Sequence, residues 1–152
     1  MDKGTLNSLV YHATFRECLP FIKKKGLIPR KFQRSNQFHN WECDENYVYF
    51  GSEPWYTLDY LFNEPEYTDE KTFESGIVLL AISKSKLNPD RLFIDKSAAS
   101  DVENGQFSYK YTGGIRPNDI YVMMYDRSIE EFKVKGVLTD PKMRVPGLDS
   151  IA

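Results

Sequence analysis

The segment GIVLLAIS, residues 76–83, holds six consecutive apolar residues with no charge and no turn former inside it. A short continuous run of this kind, bounded by polar segments, is expected as a strand buried on both faces of a sheet. A chain built around such a strand must cover both faces and pair both edges, and the remaining sequence offers the pieces. SLVYHA (8–13), YVYF (47–50) and RLFID (91–95) read as strands, and FSYKY (107–111) alternates before Gly113-Gly114. DIYVMMYD (119–126) and EFKVKGVL (131–138) read as a hairpin through Arg127-Ser128.

Helical signals fall early. Thr14 and Glu17 have capping-box spacing, although Pro20 places the helix proper from about Leu19. Lys23 to Lys25 suit the negative end of its dipole, and Gly26 supplies a left-handed cap. Ser52 is the expected cap of a second helix with Pro54 in its first turn and Trp55, Leu58, Leu61 and Phe62 on one face. Polar segments 31–46, 63–75 and 96–106 read as loops. Few helices and many later strands define an α+β fold with a mixed or antiparallel sheet. One domain over residues 1–138 is expected, with a loosely held tail at 139–152.

Composition narrows the function. A net charge of −2 argues against strong non-specific binding of nucleic acid or membrane. The charge is uneven, with a basic stretch at residues 16–34 and an acidic one at 64–74. No apolar stretch approaches a membrane span, no leader segment stands out, and two cysteines make no disulfide framework. These features are expected of a cytoplasmic protein.

His39-x-x-x-Cys43, with Cys18 or His12, offers nitrogen and sulfur but lacks the second short pair of a structural zinc site. Cys18 reads as a small buried side chain on a helix. No nucleophile elbow, Walker loop or dinucleotide fingerprint occurs. What remains is a ligand cleft. His12 closes the first strand, and Tyr47 or Tyr49 lies on the strand after the long loop. If those strands pair, an imidazole can bond a ribose hydroxyl and a phenol can stack on a flat heterocycle. Arg30 and Arg34, on the intervening loop, can clamp a pyrophosphate. Taken singly, each residue has an ordinary structural explanation.

The order YHATF, KKGLIPR, VYFGSEP, GIVLLAIS and YKYTGGIRPNDI resembles the ADP-ribosyltransferase superfamily, especially rifampicin-inactivating transferases and tRNA 2′-phosphotransferases. The resemblance spans roughly residues 9–122. It implies a split mixed β-sheet that binds NAD, with His12 on the adenosine ribose and Ala13 and Thr14 nearby. It further implies Tyr49 on the nicotinamide and Arg30 and Arg34 toward the phosphates. The reaction would break the nicotinamide–ribose bond through a positively charged transition state that a carboxylate usually stabilises. Counting back from IRP puts Ser108 at the position of that acid, with Gln106 two residues earlier on the same face. Neither carries charge, and Asp101 and Glu103 lie upstream. The implied function is NAD-dependent transfer of ADP-ribose to a protein, nucleic acid or small molecule, as in toxin or phage–host conflict. The alternative is a catalytically inactive module that binds NAD, a related nucleotide or a partner.

Overall fold

The computed structural model describes residues 9–29, 47–59, 77–94, 108–126 and 128–144. Among these the chain is a small α+β domain with a seven-stranded antiparallel sheet and few helices. The strands are β1 (Leu9–Phe15), β2 (Val48–Gly51), β3 (Ile77–Ser83), β4 (Leu92–Ile94), β5 (Ser108–Tyr111), β6 (Ile120–Asp126) and β7 (Glu131–Val137). The helices are α1 (Leu19–Lys25) and α2 (Pro54–Asp59). The strand order is β4-β5-β2-β1-β3-β6-β7. The long run at 76–83 is interior to the sheet as expected, with Leu79, Leu80, Ala81 and Ile82 each 0% exposed.

The two faces of β3 seed two apolar clusters. Val78, Leu80 and Ile82 pack with Val10, Phe50 and Leu19 of α1, while Leu79 and Ala81 pack with Leu9, Tyr11 and Leu58 of α2. Each fully buried Leu or Ile here contributes about 1.5–3 kcal/mol from removal of apolar surface from water.

Two local expectations change. Thr14 does not cap a helix; β1 continues through Phe15, and Thr14 sits inside it opposite Val78. Ladder pairing with a central strand outweighs a weak local capping signal. A 3₁₀ turn (Arg16–Cys18) follows, and α1 begins at Leu19 with Pro20 in its first turn. The cap bond on α2 comes from Glu53, one residue beyond the expected Ser52: its carboxylate accepts from Tyr56 N–H at 2.6 Å. Met143 is 7% exposed and joins the larger core cluster.

Gly26 ends α1 with φ 81° and ψ −168°, a region essentially reserved for glycine. The positive φ matches the expected cap, but the extended ψ sends Leu27 into a bridge with Ile115. The β6–β7 hairpin is pinned at Asp126, which accepts from Lys133 at 2.8 Å and from Ser128 Oγ–H at 2.6 Å. Those bonds, led by Lys133, pull its carboxyl down to about 2. Among the described residues no helix is long and apolar enough to cross a membrane.

Candidate functional site

The seven strands do not form a uniform ladder. β1 and β3 pair at seven positions, and β2 and β5 at four, but β1 meets β2 only at Tyr11 opposite Gly51. Of the expected site residues, His12, Tyr49 and Ser108 lie on the strands that meet at this junction.

Register fixes which side chains share a face, because successive strand residues point to opposite sides. Tyr11 lies opposite Gly51, and Gly51 opposite Ser108, so these three form a row on the α2 side. Tyr49 and its partner Lys110 fall on the same side, two residues along. His12 and Phe50 fall on the other, their rings meeting edge-on at 6.2 Å and 71°. The expectation that the imidazole and the Tyr49 phenol line one cleft therefore changes. His12 does reach Tyr49, but through its backbone: Nδ1 lies 2.8 Å from the Tyr49 carbonyl oxygen. The Tyr49 ring lies 6.2 Å from that of Tyr47, over which Lys110 Nζ sits at 4.8 Å.

The bond to Tyr49 fixes the tautomer. A carbonyl only accepts, so Nδ1 carries the proton and Nε2 keeps a lone pair. Burial pushes the His12 pKa below its ordinary 6.5, with the Tyr49 bond opposing it more weakly. At neutral pH His12 is thus an uncharged acceptor, held in orientation by a strand neighbour. That arrangement suits a hydroxyl donor and does not suit an anion.

Ser108 is 0% exposed, and its Oγ has no hydrogen-bond partner among the described residues. A hydroxyl buried this way costs about 1–3 kcal/mol unless something pairs with it. It lies beside Gly51, where an added Cβ would collide with Thr57 Oγ1 of α2. α2 therefore sits directly on the row. Thr14 is buried, and Ala13 is half-buried against the rim of the smaller cluster, on the opposite face. Arg30, Arg34 and Gln106 lie outside the described residues, as do His39, Cys43, Asp101 and Glu103. Among the described residues no three His, Cys, Asp or Glu side chains gather as a metal site.

One charged group near the junction was not anticipated. Glu53 follows Gly51 by two residues at the β2–α2 corner. Burial first, and then the Glu53 carboxylate, push the Tyr11 phenol above its ordinary range. The junction thus has a carboxylate beside it, from the corner of β2 and not from β5. In the sequence Glu53 reads as part of a helix start; only the pairing of Tyr11 with Gly51 brings it to β1.

No family model matches the chain, and no curated protein matches it. Among solved structures, one named EcPltA aligns with a TM-score of 0.48 at 13% identity, over 95% of this chain and 99% of that one.

Proposed function

We propose that the chain is an NAD-dependent ADP-ribosyltransferase whose site is the β1–β2 junction. On this reading the single pair between Tyr11 and Gly51 is the seam of a split sheet, β4-β5-β2 on one side and β1-β3-β6-β7 on the other. The observation that carries the proposal is His12 at that seam, its Nδ1 tied to the Tyr49 carbonyl and Nε2 left as an oriented acceptor. The ribose hydroxyls of NAD are donors of the kind this nitrogen fits. When bound, NAD supplies a ribose carbon activated by a positively charged leaving group.

The chain's own part is to hold the ribose and to place negative charge where positive charge develops. Ser108, at the position where the resemblance expects an acid, can donate its unpaired hydroxyl but cannot supply charge. Glu53, beside Tyr11 on the α2 side of the junction and so across the sheet from the His12 ring, is the carboxylate we assign to that role, approaching the ribose from the opposite side of the pair. Its bond from Tyr56 N–H anchors it at the start of α2.

The test is incubation with labelled NAD and cell extract. Wild type is expected to release nicotinamide and label an acceptor, and His12→Ala to abolish both. Glu53→Gln keeps an acceptor for Tyr56 N–H and removes the charge. It is expected to slow nicotinamide release by about 10²–10³-fold with little change in NAD affinity. A folded wild-type protein that neither binds NAD nor releases nicotinamide defeats the proposal.

The uncharged, buried Ser108 favours a second reading, a module that binds the nucleotide without chemistry. Calorimetric binding of NAD with no nicotinamide release would select it.

A further inference from the structure

The charge on the described surface is lopsided. The last turn of α1 carries Lys23, Lys24 and Lys25, all exposed. The connection from β3 to β4 adds Lys84, Lys86 and Arg91, also exposed. The connection from β5 to β6 adds Arg116, whose side chain is 81% exposed.

These three segments are laced together. Leu27, just past α1, exchanges both backbone hydrogen bonds with Ile115, at 3.0 and 2.8 Å. Thr112 N–H donates to the Arg91 carbonyl at 3.1 Å, and Asn88 N–H to the Tyr111 hydroxyl at 3.0 Å. Cations far apart in sequence therefore border one region of the fold. The same segments hold two acids, Asp90 and Asp119, so seven cations minus two anions leave +5 in a chain whose total is −2.

Little of this charge is spent internally. Asp119 engages Arg116 at 3.3 Å, and Lys84 lies 5.3 Å over the Tyr109 ring. Among the described residues the α1 lysines and Lys86 have no acidic partner. Phe21 adds a ring that is 37% exposed, three and four residues before Lys24 and Lys25 and so on their side of the helix. Cations that track a backbone, with an aromatic platform among them, are the elements of single-strand nucleic-acid binding.

We propose that this basic region docks the phosphate backbone of a single-stranded polynucleotide, with Phe21 stacking on a base. Phe93, 45% exposed two residues past Arg91, is a second ring of this kind; with Ile94 it also offers apolar surface to a bilayer, and the vesicle arm below separates a lipid surface from a polynucleotide. The basic residues belong to other segments than the β1–β2 junction; joined to the reading above, and resting on it to that extent, the docking surface makes the acceptor a polynucleotide.

The experiment is fluorescence anisotropy of a labelled oligothymidylate, and of its oligouridylate counterpart, against the full chain at rising salt and without NAD. Wild type is expected to bind with strong salt dependence. Changing Lys23, Lys24 and Lys25 together to Gln should weaken binding about tenfold or more at low salt and flatten the log–log salt slope by about 2. Phe21→Ala should weaken binding and leave the slope alone. Lys133→Gln, on the distant β7 edge, should change neither. Absence of binding at low salt overturns the proposal. So does an unaltered triple variant, or retention on anionic phospholipid vesicles without retention of either oligonucleotide. Calorimetry of NAD on the triple variant reads the junction separately, so failure of one proposal is told from failure of the other.

Discussion

A neutral imidazole tied at one nitrogen is a one-directional device, and His12 owes that state to its place in the sheet. Burial lowers its pKa in the folded chain, whereas the unfolded chain keeps a value near 6.5. Above about 6.5 both states hold a neutral ring and stability does not respond to His12. Below that, the unfolded chain takes up the proton first, so folding stability falls with pH until the folded pKa is passed and then levels off. Urea midpoints of wild type and His12→Gln should therefore run parallel above pH about 6.5 and converge below it, the wild type losing more. Curves that stay parallel down to acid pH would mean that His12 is not held neutral. The sequence places His12 at the end of the first strand, whereas β1 runs on through Phe15 and holds it at mid-strand opposite Leu80. Its partner atom was not legible, because a backbone carbonyl leaves no mark on composition. Nor was the face of Tyr49 legible, since that depends on whether Tyr11 or His12 pairs with Gly51.

Among the elements, α1 shows how punctuation and pairing share control. Pro20 and Gly26 mark its ends in sequence, and both ends fall where they indicate. The conformation at Gly26, however, is set from outside. Leu27 must turn into its bridge with Ile115, and a Cβ on Gly26 would collide with the Ile115 carbonyl. Gly26→Ala should cost about 1–3 kcal/mol in chemical denaturation. Gly114→Ala, whose added Cβ meets only ordinary contacts, should cost far less. Equal losses would mean that the end of α1 is not strained. The misread cap at Thr14 has the same origin as the constraint at Gly26. A local signal is overruled by a strand distant in sequence, here Val78 of β3.

At the scale of the whole molecule, the apolar run at 76–83 announced the interior strand, because burial on both faces demands it. The strand order was not legible, since it places β5 beside β2 and β1 beside β3 across long separations. The same holds for Met143. Its side chain reaches the gap left by Gly136, where an added Cβ would approach the Met143 methyl to 2.8 Å. Met143→Ala should destabilise the fold by about 2–4 kcal/mol, read as a lowered denaturation midpoint, although the residue lies past the last strand. A neutral result would show that the tail is dispensable. The seam at Tyr11 and Gly51 has a mechanical meaning as well. Val10, Leu80, Val48, Phe50 and Tyr111 span it from one side as a single oily joint, whereas its ladder is a lone rung. Apolar contact has no preferred direction and yields to sliding, while a row of hydrogen bonds does not. If the junction holds a ligand as proposed above, any change of spacing there falls on this joint and on the His12–Tyr49 bond, and not on the seven-residue ladder of β1 with β3.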